Sequence, residues 1–97
     1  MKKTKQLSST ELSQFIIEGM QEKKANQIVL LDLRKINNSI TDFFVICSGN
    51  SDTQTDAIAN SVEEVVYKKA HQDPWHKEGR LNREWILLDY VDVVVHV

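Results

Sequence analysis

Four side chains that could bind a transition metal are spread through the sequence. They are Cys47, His71, His76 and His96. Zinc sites typically use cysteines separated by two residues, or two histidines one helical turn apart, and none of these four side chains has such a partner. We therefore expect no metal site and no cofactor. Because Cys47 is the only cysteine and lies in the apolar run 43–47, we predict a buried, reduced thiol.

A second candidate for chemistry is the turn Ser-Gly-Asn-Ser at residues 48–51, called here the serine turn. A glycine next to a helix N-terminus could present unpaired N–H groups to a phosphate, which keeps a nucleotide-binding or nucleotidyltransferase-like enzyme as an alternative. Such an enzyme needs a close pair of carboxylates to hold Mg²⁺. Here Asp89 and Asp92 bracket a turn, and Val93 and Val94 stand where the next carboxylate is needed. We expect no catalysis and interpret the serines as helix caps.

The C-terminal segment carries aromatic and charged side chains on or around a predicted hairpin. Aromatic side chains surrounded by charge are typical of the centre of a protein interface. The residues of this kind are Trp85, Leu88, Tyr90, Asp92 and His96. They are predicted to bind a partner protein. The alternative is that Trp85 and Leu88 belong to the core and that His96 is a partly buried histidine.

Two helices are predicted from apolar residues at helical spacing, over residues 9–24 and 51–70. Each starts at a serine, Ser8 or Ser51, that is followed three residues later by a glutamate or glutamine, as in a capping box. The second helix must end before Pro74, which lacks an amide hydrogen.

The predicted strands cover residues 28–33, 43–47, 85–88 and 93–97, with a short additional strand at residues 75–77. The first two are near-continuous apolar runs, so we expect both to be central strands covered on both faces. The last two flank a tight turn at residues 89–92 and should pair antiparallel. The element order predicts an α/β (α+β) fold.

Composition predicts one domain over residues 1–97, with 41% hydrophobic and 27% charged residues. The apolar runs are shorter than the roughly 18 residues of a membrane span, and the N-terminus is unlike a signal peptide, so we expect a cytoplasmic protein without a membrane partner. A net charge of −2 is too small to hold a nucleic acid backbone, so a protein partner is favoured.

Several strings of the sequence carry a family resemblance. They are residues 30–33 (LLDL), 39–51 (SITDFFVICSGNS), 57–59 (AIA), 78–79 (EG), 85–90 (WILLDY) and 92–97 (DVVVHV). Together they resemble the ribosomal silencing factor family, also called the Iojap family. The resemblance covers about residues 9–97, in order and without large gaps.

This resemblance implies a mixed β-sheet flanked by helices, related to nucleotidyltransferases but without their catalytic carboxylates. It implies a non-enzymatic factor without a small-molecule substrate, which binds the fourteenth protein of the large ribosomal subunit and blocks subunit joining when nutrients are low. The contact residues it implies are Trp85 and Tyr90, with Asp89, Asp92 and His96 as neighbours. A homodimer formed through the same hairpin is a third interpretation.

Two departures from the family pattern change these expectations. Family members usually carry glycine where this sequence has Val91, so the turn has either changed shape or is strained. The family generally continues into a short helical tail, whereas this sequence stops at Val97, which predicts a truncated chain or a short variant.

Overall fold

The structure is a computed structural model that describes residues 8–79 and 85–97. That part of the chain forms two helices and a five-stranded mixed sheet, as predicted. In chain order the elements are α1 (Ser9–Glu22), β1 (Asn26–Asp32), β2 (Phe43–Ser48), α2 (Asp52–Ala70), β3 (His76–Glu78), β4 (Leu87–Asp89) and β5 (Val93–His96). Neither helix of the described chain is long and apolar enough to cross a membrane.

Both helices begin at the predicted serines. Ser8 Oγ accepts a hydrogen bond from the backbone N–H of Glu11 at 3.1 Å, and Glu11 Oε1 accepts one from the N–H of Ser8 at 3.3 Å. This reciprocal pair is a complete capping box. At the start of α2, Ser51 Oγ accepts from the N–H of Gln54 at 3.1 Å. The two predicted N-caps are therefore confirmed.

The two helices pack closely on one another at Gly19. A Cβ at this position would lie 2.7 Å from Val62 Cα, so a larger residue would force the helices apart. Ser61 Oγ donates a buried hydrogen bond to the carbonyl of Gly19 at 2.8 Å. This close contact makes α1 and α2 a single layer.

The strand order in the sheet is β1-β2-β5-β4-β3. β2 and β5 pair in parallel, while the pairs β1–β2, β4–β5 and β3–β4 are antiparallel. The predicted hairpin of β4 and β5 is thus confirmed, and so is the short additional strand, which is β3. The parallel pair lies at the centre of the sheet.

The prediction that β1 is a central strand was wrong, because β1 forms an edge of the sheet. Its apolar residues Val29, Leu30 and Leu31 are 45%, 42% and 40% exposed. Since an edge strand has a neighbour on one side alone and lies at the margin of the helix layer, an apolar run does not guarantee burial there. The strand also begins two residues earlier than predicted.

β2 is central as predicted, but the expectation that both its faces are covered was wrong. Phe43, Val45 and Cys47 are buried, whereas the alternating residues Phe44 and Ile46 are only partly buried. Cys47 is a free, buried cysteine as predicted, and burial raises the pKa of its thiol to about 11.

The hydrophobic core lies between the helix layer and one face of the sheet. It includes Ile16 and Met20 of α1, Ile58, Val62 and Val66 of α2, and Val45, Leu88, Val93 and Val95 of the sheet. The opposite face, called here the open face, carries the partly buried residues Phe44, Ile46, Leu87, Val94 and His96. In the described part of the chain, both helices lie on the core side.

Candidate interaction surface on the open face

The strand register brings side chains from three strands together on the open face. Ile46 of β2 is opposite His96 of β5, which is opposite Leu87 of β4. The next row contains Phe44, Val94 and Asp89 in the same strand order. Because side chains that are opposite one another in neighbouring strands share a face, these residues form one continuous surface.

His96 lies between two aromatic rings at the margin of this surface. The indole of Trp85 meets its imidazole edge-on, with the centroids 6.1 Å apart and the planes at 88°. The ring of Phe44 is stacked at 6.3 Å with its plane at 20°. Trp85, Leu87, His96 and Glu78 line a hollow of about 430 Å³, called here the Trp85 hollow.

Gly79 lies directly against Trp85. Its φ is +85°, a conformation that favours glycine, and a Cβ at this position would overlap the carbonyl oxygen of Trp85 and lie 2.9 Å from its Cε3. Glycine is therefore required here for the backbone to approach the indole. The Trp85 side chain is held between Gly79 and His96 while the residue stays 40% exposed.

Two of the six predicted contact residues lie in the core instead of on the surface. Leu88 is 0% exposed and Tyr90 is 5% exposed. The physical reason is that side chains alternate between the faces of a strand, so Leu87 and Asp89 face outward while Leu88 and Tyr90 point toward the helices. Strand periodicity applied to residues 85–90 could have separated these two sets.

The hydroxyl of Tyr90 is buried and forms no hydrogen bond with the described residues. Burial, together with the nearby carboxylates of Glu63 and Asp73, raises the pKa of Tyr90 far above its usual value. This environment suits a core residue rather than a side chain that a partner could contact.

The turn between β4 and β5 is strained at Val91. The N–H of Asp92 donates to the carbonyl of Tyr90 at 3.0 Å, which closes a γ-turn around Val91, whose φ is +77°. Asp89 Oδ1 accepts from the N–H of Val91 at 2.8 Å, and the Asp92 carbonyl accepts from the N–H of Asp42 at 2.8 Å. Of the two expected outcomes, the strained turn is observed. Hydrogen bonds to the Asp89 side chain and to the Asp92 carbonyl hold the turn in this conformation.

The serine turn makes structural contacts. A Cβ at Gly49 would lie 2.9 Å from Thr55 Oγ1, so this glycine allows close packing on the first turn of α2. Gln54 Nε2 donates to the carbonyls of Lys23 and Lys24 at 3.2 and 3.3 Å, which ties the start of α2 to the end of α1. Of the two serines of the turn, Ser51 caps α2 as predicted, whereas Ser48 Oγ donates to the carbonyl of Asn26 at 3.5 Å. Within residues 8–79 and 85–97, no three His, Cys, Asp or Glu side chains lie close enough to hold a metal ion.

Sequence reasoning missed the residues at the centre of the open face. Phe44 and Ile46 were placed in a strand covered on both faces, and Leu87 and Val94 were not singled out. Their alternation with buried neighbours follows from a helix layer on one face, which the sequence did not reveal.

The fold is shared with solved structures. A crystal structure of a protein from Chromobacterium violaceum matches with a TM-score of 0.86 and 36% identity, covering 94% of this chain and 74% of the other. A crystal structure from Bacillus halodurans matches with a TM-score of 0.81 and 39% identity, covering 91% and 80%.

Curated relatives and a family model identify one and the same protein family. The chain is 40% identical over 91 residues to the ribosomal silencing factor RsfS of Halalkalibacterium halodurans, covering 94% of this chain and 76% of the relative. It is 39% identical over 87 residues to the protein of the same name from Chromobacterium violaceum, covering 90% and 70%. The family model "RsfS: Ribosomal silencing factor during starvation" matches residues 6–97. The chain therefore belongs to the ribosomal silencing factor family.

Proposed function

We propose that this protein is a translational repressor that binds the large ribosomal subunit and keeps it apart from the small subunit. It contacts the fourteenth protein of the large subunit, on the face that meets the small subunit. Inhibition is then steric exclusion and requires no catalysis. Membership of the ribosomal silencing factor family supports this proposal.

The observation that carries the proposal is the apolar open face. Phe44, Ile46 and Val94 are partly exposed at its centre, and Trp85 is 40% exposed at its margin. Contiguous apolar surface of this kind marks docking sites in soluble proteins. The open face supplies the apolar centre of an interface.

The side chains around this centre have the roles expected in a protein interface. Trp85 is the anchor, because it is a large aromatic side chain already fixed by Gly79 and His96. Glu78 and Asp92 are exposed at the rim, where charge affects the rate of association and the choice of partner more than the affinity. A specific interface buries about 800 Å² on each partner, so the contact extends from the Trp85 hollow over the open face.

The enzymatic alternative has less support. At the start of α2, where a phosphate would bind, the N–H of Gln54 already donates to Ser51 Oγ, and the N–H of Thr55 makes a helical backbone bond to the Ser51 carbonyl. Calorimetry with ATP or GTP and Mg²⁺ tests this alternative. Tight binding of either nucleotide would favour it.

Ribosome binding is tested by co-sedimentation of the protein with large subunits. A second assay measures whether saturating protein prevents large and small subunits from associating. Trp85→Ala should stay folded and lose both activities, with affinity reduced by about 30-fold or more. Tyr67→Ala, at a residue that is 53% exposed on α2, is the control and should behave as the parent. Free association of subunits at saturating dose of the parent would contradict the proposal.

A homodimer that buries the same open face would compete with ribosome binding. Light scattering over a range of concentrations, with and without large subunits, separates the two. Loss of the dimer on addition of subunits indicates a shared surface, whereas a persistent dimer indicates a separate one.

A further inference from the structure

A second hollow lies on the open face, next to the Trp85 hollow. It measures about 290 Å³ and is lined by Ile40, Thr41, Trp75, Asp89, Val91 and Val94. We call it the Trp75 hollow. Three of its apolar wall residues are strongly exposed, since the exposed fraction is 93% for Ile40, 76% for Trp75 and 55% for Val91. Its surface is therefore mostly apolar and accessible.

The backbone fixes the position of Trp75 while the indole stays in solvent. Its N–H donates to the carbonyl of Asp89 at 2.7 Å, which attaches it to β4. Its nearest aromatic neighbour is His76, at 6.0 Å with a tilt of 50°. Tryptophan is enriched among the residues that dominate binding energy in interfaces, and an indole that is this exposed contributes little to the fold.

Among the described residues that line the Trp75 hollow, Asp89 is the one that carries a charge. Its Oδ1 accepts the N–H of Val91 at 2.8 Å, so the carboxylate has a fixed position at the end of β4. An apolar hollow with one carboxylate matches a side chain with an apolar stem and a cationic end. A lysine or arginine can lay its stem on the apolar wall, place its charge at the carboxylate and interact with the face of an indole.

The two hollows are close enough for one partner to reach both. Leu87 lines the Trp85 hollow and Asp89 lines the Trp75 hollow, and they are two residues apart on β4, which is about 7 Å along a strand. Val94 and His96 have the same relationship on β5. The Trp75 hollow is therefore continuous with the contact surface.

We propose that the Trp75 hollow is a second anchoring site of this surface and takes a lysine or arginine side chain of the ribosomal protein. This inference rests on the proposed function. The partner thus presents two neighbouring groups to the open face, one for the Trp85 hollow and one basic side chain for the Trp75 hollow.

The test is a titration of the labelled full chain with large ribosomal subunits at several salt concentrations. Trp75→Ala should weaken binding by about tenfold or more. Asp89→Asn keeps the acceptor for Val91 and removes the charge, so it should weaken binding and also make it less sensitive to salt. Tyr67→Ala, an exposed aromatic on α2, should bind as the parent. Circular dichroism of each variant checks that the fold is retained.

The outcomes separate this inference from the proposed function. If Trp75→Ala binds within about twofold of the parent while Trp85→Ala has lost binding, the Trp75 hollow is not an anchoring site and the inference is wrong. If Trp75→Ala is weakened but Asp89→Asn keeps the parental salt dependence, the occupant is not cationic and the inference is again wrong. If Trp85→Ala and Trp75→Ala both bind as the parent, the open face is not the contact surface and the inference is wrong. The proposed function itself fails if the parent does not bind large subunits.

Discussion

The indole of Trp85 packs edge-on against the imidazole of His96, with 6.1 Å between the ring centroids. The contact joins a residue two positions before the first strand of the hairpin to the last residue of its second strand. Edge-to-face pairs contribute about 0.5–1.5 kcal/mol beyond the burial of their surface. The indole is therefore held in place before a partner binds, which reduces the entropy lost on binding.

Leu87 and Leu88 are adjacent leucines on opposite faces of the sheet, so their alanine variants should have different effects. Leu87→Ala should weaken binding to large subunits by about tenfold and change the free energy of unfolding by no more than about 1 kcal/mol. Leu88→Ala removes a fully buried side chain and should lower the free energy of unfolding by about 2–5 kcal/mol. Urea denaturation and co-sedimentation measure the two quantities. A Leu88→Ala variant with parental stability would show that the two faces are assigned wrongly.

Gly79→Ala should weaken ribosome binding through Trp85. The added Cβ overlaps the Trp85 backbone and also requires alanine at a positive φ, which costs about 1–2 kcal/mol. The indole must move away from its position beside residue 79, and the affinity for large ribosomal subunits should fall. The matched control is the same substitution in a Trp85→Ala background, where it should change binding no further. Additive losses of binding in this double-mutant cycle would show that Gly79 acts independently of the indole.

Val91→Gly should stabilise the protein. A β-branched residue at φ +77° costs about 1–2 kcal/mol, while glycine loses about 0.5–1 kcal/mol more conformational entropy on folding. The net gain in the free energy of unfolding is therefore up to about 1.5 kcal/mol. Val91→Ala keeps a Cβ and should gain much less. Urea denaturation compares the three proteins, and equal stability of the glycine and alanine variants would contradict the assignment of strain.

Stability should fall at alkaline pH because of two buried acids. Burial raises the pKa of Cys47 from 9.0 to about 11, and it also raises the pKa of Tyr90 far above its usual value. The unfolded chain therefore loses protons that the folded chain keeps, and the free energy of unfolding decreases as the pH rises above about 9. Tyr90→Phe should make the free energy of unfolding decrease less steeply with pH. It should also raise stability near neutral pH, because it removes a buried hydroxyl that costs about 1–3 kcal/mol when left without a hydrogen bond. If the free energy of unfolding falls with pH as steeply in both Tyr90→Phe and Cys47→Ala as in the parent, other groups cause the loss of stability at alkaline pH.

Local patterns in the sequence predicted the helices well. The capping serines, the apolar spacing and Pro74 all act within a few residues, so the bounds of α1 and α2 could be predicted closely. The hairpin of β4 and β5 was predicted for the same reason. These elements depend little on the rest of the chain.

The errors concern relationships between distant segments. An apolar run does not distinguish the edge strand β1 from a central strand, because strand order depends on pairing far along the chain. In the same way, Leu88 and Tyr90 were assigned to the contact surface, although the helices lie on their side of the sheet. The Trp75 hollow combines residues from three loops and two strands, and its lining could not be inferred from any one of them.

The parallel pair at the centre of the sheet also has a consequence for biosynthesis. Phe43 pairs with Val93, 50 residues further along the chain, so the middle of the sheet closes only after α2, β3 and β4 have been synthesised. Loops of this length make the pairing a slow, late event in folding. A nascent chain therefore has neither a finished core nor the proposed docking face until β5 has emerged from the exit tunnel. The proposed contact surface thus depends on the strand that is synthesised last among those described.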